Sequence, residues 1–325
     1  MAKTVMDRRW LPLNAMRAFE GVAKHGSFTA AANALLISQS ALSRHVLAIE
    51  RLIGTSLFER KPHALVLTSA GQHLLAAVSK SFDRLEYALE DIGSRGGAPV
   101  RRTLRVHMAP SFATQLAVPI LRDFRKEVAD IEIDIVSPYG LGSPPADADV
   151  AVIYAKPGVS DFVTDLLWPV HLSLLCHPDL AKRHEGKDLA AFIEANETVH
   201  VRFADLPRHH VWEKFALQAG IGPINFDRSL VFDTAALAVQ YVMSGDGIAL
   251  VDGNLFSNEI TEGKLIKPFD VTLDDGYGYY LCTHPDDLGD TAIAMFRSWL
   301  IQRFGSGVPA VAADAPPVRL VHSNG

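Results

Sequence analysis

Cysteine is scarce: Cys176 and Cys282 are the only two in 325 residues, too few and too far apart for a disulfide framework or a thiolate metal cage. Both read as buried free thiols. Long apolar runs are missing too. No stretch approaches the roughly 20 uncharged apolar residues that a membrane helix needs, and the opening MAKTVMDRRWLPLN carries charge without the apolar centre of a secretory signal. A cytoplasmic protein with no membrane partner is expected. The signatures of α/β enzymes are also absent: there is no G-x-S-x-G nucleophile elbow, no G-x-x-x-x-G-K-S/T phosphate loop and no G-x-G-x-x-G after a strand. His171, His177, His209 and His210 show no metal-ligand spacing. Neither catalysis, nor a cofactor, nor a metal site is expected.

What is present is a hydrophobic fraction of 48% beside 21% charged residues, a mixture that packs into folded domains, and a length that suggests two of them. The net charge of −6 argues against nucleic-acid binding until it is divided along the chain. Residues 1–70 hold nine Lys or Arg against four acids, a balance of +5 that leaves −11 for the remainder. A basic anchoring module joined to an acidic one shows this asymmetry, because phosphate binding needs locally clustered cations.

Gly93-Ser94-Arg95-Gly96-Gly97-Ala98-Pro99 lacks an apolar period and is rich in helix breakers, so residues 93–100 read as a hinge. From Gly305 the Gly-, Ala- and Pro-rich sequence reads as a disordered tail over residues 305–325. Between them, residues 101–304 alternate β-rich runs with helical patterns, an α/β arrangement with a largely parallel sheet. The clearest strands are Leu104–Met108, Ile131–Val136, Val150–Tyr154 and Ile248–Val251.

In the basic module Leu13, Met16, Phe19 and Val22 recur at helical spacing up to Gly26. Ser27 can cap a short alanine-rich second helix, Ile37-Ser38 makes a turn, and a third helix runs from Gln39 to about Leu52. Leu42, Val46, Ile49 and Ile53 share one face of it, whereas Ser40, Ser43, Arg44 and Leu47 lie opposite. A short helix, a tight turn and a second helix with small polar residues and an arginine outward is the geometry that enters a DNA major groove. Gln39 can pair bidentately with adenine and Arg44 with guanine, while Ser40 and Ser43 suit base edges or phosphates. An ordinary solvated helix face fits the same residues. Residues 57–68 then read as two short strands around Pro62, a wing whose Arg60 and Lys61 face either phosphates or solvent.

A long helix from Ser69 carries Leu75, Val78, Phe82, Leu85, Leu89 and Ile92 at alternating spacings of three and four. Such a stripe seeks a second helix, through dimerisation or within one chain. A two-fold protein would read a two-fold operator.

Residues 27–71, SFTAAANALLISQSALSRHVLAIERLIGTSLFERKPHALVLTSAG, closely resemble the winged helix-turn-helix of LysR-type transcriptional regulators. Ser111-Phe112, the run Gly245–Leu250 and Phe296–Leu300 look like that family's effector domain, and Leu11–Phe19 is similar to the branch holding the glycine-cleavage activator and β-lactamase regulators. The resemblance implies an α/β protein with an N-terminal all-α winged helix-turn-helix (residues 1–70), a linker dimerisation helix (71–92), the hinge, and a two-lobed, periplasmic-binding-protein-like effector domain (101–304). Candidate DNA contacts are Ser27, Thr29, Ser38, Gln39, Ser40, Ser43, Arg44 and His45, with Arg60, Lys61 and His63 in the wing. Ala30, Leu47 and His63 depart from the family's more basic pattern, which implies fewer phosphate contacts.

In the implied cleft, Ser111 and Thr234 stand at two helix starts, whose unpaired N–H groups favour an anion; both residues also fit as simple caps. Phe112, Tyr154, Arg202 and Phe203 are candidate wall residues, the last three because each follows a strand-like run. Arg202 can pair with a ligand carboxylate or structurally. Asp233 would repel an anion unless it meets an amine, which points to an anionic or zwitterionic small-molecule effector. Double-stranded DNA, the effector, a homodimer or homotetramer and RNA polymerase are the expected partners. An α/β enzyme with a helical extension lacks its motifs, and a solute-binding transport protein would leave the basic first 70 residues unexplained.

Overall fold

The computed structural model describes residues 11–61, 64–93, 102–137, 144–145, 147–159, 161–203 and 206–304, with Arg60, Tyr87, Glu90 and Asp91 in backbone only. The chain divides into two units, one up to Val100 and one from Arg101. The expected hinge beyond Gly93 and the expected tail lie outside the described residues.

In the first unit α1 (Leu13–His25) buries Ala15, Ala18, Phe19 and Val22 and stops at Gly26, whose φ of +60° suits glycine. The Ser27 hydroxyl accepts from the Ala30 N–H and starts α2 (Phe28–Ala34), which buries Ala31 and Ala32. Gly21 lets α1 come close to the end of α2: a Cβ there would stand 2.8 Å from the tip of the Leu35 side chain, which would have to shift. The Ser38 hydroxyl accepts from the Ala41 N–H and starts α3 (Gln39–Ile53). Leu42, Val46 and Ile49 of α3 are buried as their spacing requires, whereas Ile53, one residue before the chain turns at Gly54, is 40% exposed. The Glu50 carboxylate accepts from the Leu57 N–H at 2.8 Å and anchors the wing, formed by β1 (Phe58–Lys61) antiparallel to β2 (Ala64–Leu67). Thr68 accepts from the Gly71 N–H at the start of α4 (Ser69–Gly93).

The stripe expected along α4 divides. Leu75 packs on the α1–α3 core and Val78 is buried, but Leu85, Leu89 and Ile92 are 52%, 70% and 62% exposed.

The second unit holds two five-stranded sheets. The first lobe is built from β3 (Arg102–Met108), β4 (Ile131–Val136), β5 (Val150–Ala155), β6 (Val163–Pro169) and β12 (Gly278–Thr283), in the order β4-β3-β5-β12-β6. It is flanked by α5 (Pro110–Glu127) and α11 (Thr291–Phe304). The second lobe orders β11 (Thr272–Leu273), β7 (Leu172–Leu175), β10 (Ile248–Asp252), β8 (Thr198–Val201) and β9 (Ser229–Phe232) side by side. Its helices are α6 (Pro178–Arg183), α7 (Leu189–Ala195), α8 (His210–Ala219), α9 (Ala235–Met243) and α10 (Ser257–Thr261). The expected, largely parallel sheet is corrected: only β4-β3-β5 and β10-β8-β9 run parallel, while β12 is antiparallel to both its neighbours and β7 to both of its own. The physical reason is that the chain crosses between sheets twice, after β6 and again before β12. Each crossing adds strands without the helix that would return the chain in parallel.

In the second lobe α6, α7, α8 and α9 each bury apolar residues, whereas α10 buries none. On α5, Phe112, Leu116, Ile120 and Phe124 are all buried at intervals of four, and Phe112 lies against Trp168, Tyr279 and Phe304.

Candidate DNA-reading face and ligand cleft

On α3 the side chains opposite the buried stripe are turned to solvent. Gln39, Ser40 and Arg44 are exposed and Ser43 and His45 half-buried. The Arg44 guanidinium reaches back to the Ser40 carbonyl at 3.4 Å, and no acid pairs with it among the described residues. Ser27 and Ser38 each spend an acceptor on a helix cap, and the Ser38 hydroxyl lies 3.2 Å from that of Ser40. Thr29 on α2 and Lys61 in the wing are exposed. The Arg60 side chain and His63 lie outside the described residues.

The second unit encloses, between its lobes, a cavity of about 280 Å³, near the lower end of the roughly 300–1,000 Å³ typical of small-molecule sites. Ser111, Tyr154, Arg202, Phe203, Asp233 and Thr234 all line it. The two expected helix starts face each other: the Ser111 hydroxyl on α5 accepts from the Ala235 N–H, the first of α9, at 3.0 Å. Thr234 caps α9, accepting from the Leu237 N–H. Arg202 and Asp233 form an ion pair at 3.0 Å, both more than half exposed, so neither charge stands alone at the cleft mouth. Tyr154 is sandwiched between Tyr277, with ring centres 4.8 Å apart, and Phe203, at 6.0 Å.

Phe112 is a correction. It is fully buried and does not line the cavity. Successive helix residues point about 100° apart, so placing Ser111 toward the cleft puts Phe112 into the core stripe of its own helix.

Sequence reading missed His200, Arg208, Asp252 and Tyr279, which also line the cavity. Asp252 ends β10 and is 5% exposed. It carried the same signal as Tyr154, a polar group at the end of a strand-like run. Its carboxylate accepts from the Trp168 indole N–H at 2.9 Å and the Asn254 N–H at 3.1 Å, and burial pushes its pKa up to about 6. His200 is held neutral: burial first, then the neighbouring His209, depress its pKa to about 4. Its ring bridges the Thr198 hydroxyl and the Arg208 carbonyl, each at 3.1 Å.

A winged helix-turn-helix unit and a two-lobed α/β unit with an apolar cleft define a DNA-binding regulator that answers to a small molecule. The comparisons agree. Residues 13–72 match the bacterial regulatory helix-turn-helix protein, lysR family, and residues 97–305 match the LysR substrate binding domain. The chain belongs to the LysR family of transcriptional regulators, which bind DNA and small-molecule effectors, form oligomers and are not enzymes. The glycine cleavage system transcriptional activator of Escherichia coli (strain K12) is 29% identical over 92% of this chain and 95% of its own length. The transcriptional activator AmpR of Providencia stuartii is 30% identical over 90% and 97%. The crystal structure of ArgP from Mycobacterium tuberculosis superposes with a TM-score of 0.69 at 17% identity, over 91% of this chain and 97% of that one. No helix among the described residues is long and apolar enough to cross a membrane.

Proposed function

We propose that this regulator reads its operator through Gln39, Ser40, Ser43 and Arg44 of α3, with Ser27, Thr29, Ser38, His45 and the wing's Arg60, Lys61 and His63 positioning it on phosphates. A small anionic or zwitterionic effector in the inter-lobe cleft switches it, and RNA polymerase is its partner when it activates. The chain works in the cytoplasm. The observation that carries the switching is the 3.0 Å bond from the Ala235 N–H to Ser111. It brings the start of a second-lobe helix onto a first-lobe helix, so a ligand group placed there touches both lobes. A ligand shifts a regulator only through its different affinity for two conformations, and lobe separation is the conformational variable this bond senses.

The exposed apolar residues Leu85, Leu89 and Ile92 support a dimer seam along α4, since a surface helix with this stripe leaves apolar area in water. Leu85→Glu tests it: the charge in the seam should dissociate the dimer in sedimentation and weaken operator binding in gel shifts with genomic fragments. An unchanged oligomer with an intact fold would show that the stripe is not the contact.

A further inference from the structure

Most of the cavity wall is apolar or aromatic, which makes its charges informative. Arg202 is matched by Asp233, and Arg208 donates to the carbonyl and hydroxyl of Ser229. Asp252 differs. It is buried, it lines the cavity, and among the described residues no lysine or arginine pairs with it. Two neutral donors, the Trp168 indole and the Asn254 N–H, take one lone pair on each oxygen, and a carboxylate offers about four such sites. Acceptor capacity therefore remains on a carboxylate facing a small, mostly apolar cavity.

Its surroundings suit a cation. Tyr154 and Tyr279 share the cavity wall, their ring centres 5.6 Å apart. Both phenols are pushed well above the usual tyrosine range, chiefly by burial; the Asp252 charge comes next at Tyr279, whereas at Tyr154 it follows Asp275 and the neighbouring tyrosines. The Trp168 and Asn254 hydrogen bonds and, after them, His171 on the connection between the lobes pull Asp252 the other way, but burial prevails. A buried carboxylate is costly to keep without a counter-charge, and the faces of aromatic rings attract cations.

We infer that Asp252, beside Tyr154 and Tyr279, is the anchor for a protonated amine on the effector, so that the ligand class is an amine-bearing small molecule rather than a simple organic anion. This rests on the cleft being the effector site. It also assigns the ligand a mechanical role. Trp168 belongs to the first lobe and Asp252 to the second, so an ammonium on Asp252 loads the hydrogen bond that joins them.

The test uses the full-length chain and a panel of L-amino acids, each beside its decarboxylated amine and its deaminated acid, at millimolar concentration. Binding is read by thermal shift and calorimetry, and located by hydrogen exchange. Amine-bearing compounds should bind and protect residues 198–203 and 248–255. Asp252→Asn should weaken them by roughly ten- to a hundredfold, the loss expected for a charged hydrogen bond, and Asp252→Glu should restore part of it. Binding confined to the deaminated acids with protection in the cleft overturns the amine anchor and leaves the cleft standing. Protection elsewhere overturns the cleft as well. Amine binding that survives Asp252→Asn, or a panel with no amine-bearing binder, also overturns the anchor.

Discussion

The candidate DNA contacts on α3 and at its cap come from one short run, Ser38 to His45, whereas the groups around the cleft come from the ends of β5, β8, β9 and β10, from β12 and from the start of α5. The first surface is solvated, and its chemistry is displayed by a helix whose other face is pinned by Leu42, Val46 and Ile49. The second is a cleft between lobes, and its chemistry exists only after two mixed sheets have been assembled from strands whose paired residues lie up to 131 positions apart, as Ala151 on β5 and Cys282 on β12 illustrate. A helix needs only its own period to face correctly. A cleft needs the topology first.

The largest effect that would break this distinction lies at Phe112. If it belongs to the core, Phe112→Ala costs about 3–5 kcal/mol of stability in the two-lobed unit, measured by urea unfolding, and any loss of ligand binding follows from that. A stable variant with lost ligand binding would restore Phe112 to the cleft wall.

How much could be read in advance follows the same division. Gly26, Ser27, Ser38 and Gly54 mark their helix ends by local chemistry, so the boundaries of α1 to α3 were legible to within a residue or two. The strands β3, β4, β5 and β10 were legible because they are continuous apolar or alternating runs. The four that set the mixed topology, β6, β7, β11 and β12, were not. β11 is two residues long, and nothing local in Gly278–Thr283 says that it inserts between β5 and β6. Ser111 and Thr234 were legible as helix starts, but that their two helices would meet depends on both crossings. Asp252 was overlooked because its partner Trp168 is 84 positions away.

The next effect is in the pH response of the cleft. Asp252 has a pKa raised to about 6, against about 3.9 for an ordinary aspartate. It therefore binds its proton more tightly when folded, and its contribution to stability is greatest below the unfolded value and is lost as pH rises through about 6, a span worth about 3 kcal/mol. His200 acts oppositely. Depressed to about 4, it contributes stability above its unfolded value that is lost as pH falls through that value towards 4. The two offset each other between about pH 4 and 6.5. Asp252→Asn should raise stability at pH 7.5, lose that gain by pH 4, and leave a protein more acid-sensitive than the wild type. His200→Gln should have the reverse slope. Chemical unfolding at stepped pH checks both, and parallel profiles for the two variants would refute the assignment.

A smaller effect is expected on the solvated face. Gln39→Ala and Arg44→Ala should each cost about 1–3 kcal/mol at a matched operator while leaving random-sequence binding in place. Quantitative gel shifts against both DNAs separate base reading from phosphate attraction. An unchanged ratio of specific to random binding would move the reading surface away from α3.

The smallest effect separates two hydroxyls that sequence reading treated alike. Thr234 accepts from Leu237 within its own helix, so Thr234→Val removes a cap and should cost about 0.5–2 kcal/mol of stability in the two-lobed unit with little change in ligand affinity. Ser111 accepts from Ala235 across the lobes. Ser111→Ala should leave stability nearly unchanged, because the start of α9 is only half-buried and lies on the cavity wall, where its freed N–H can turn to water. What it removes is a contact available only when the lobes are closed, so it should weaken ligand binding by about 1 kcal/mol and shift the induction curve to higher ligand concentration. Operator affinity without ligand should hold in both variants, since the candidate DNA-contact residues fold in a different unit. Calorimetry of the two single variants beside their unfolding curves decides it. If Thr234→Val weakens ligand binding at full stability, that hydroxyl touches the ligand. If Ser111→Ala lowers stability without touching ligand affinity, the bond to Ala235 is a structural strut and senses no closure.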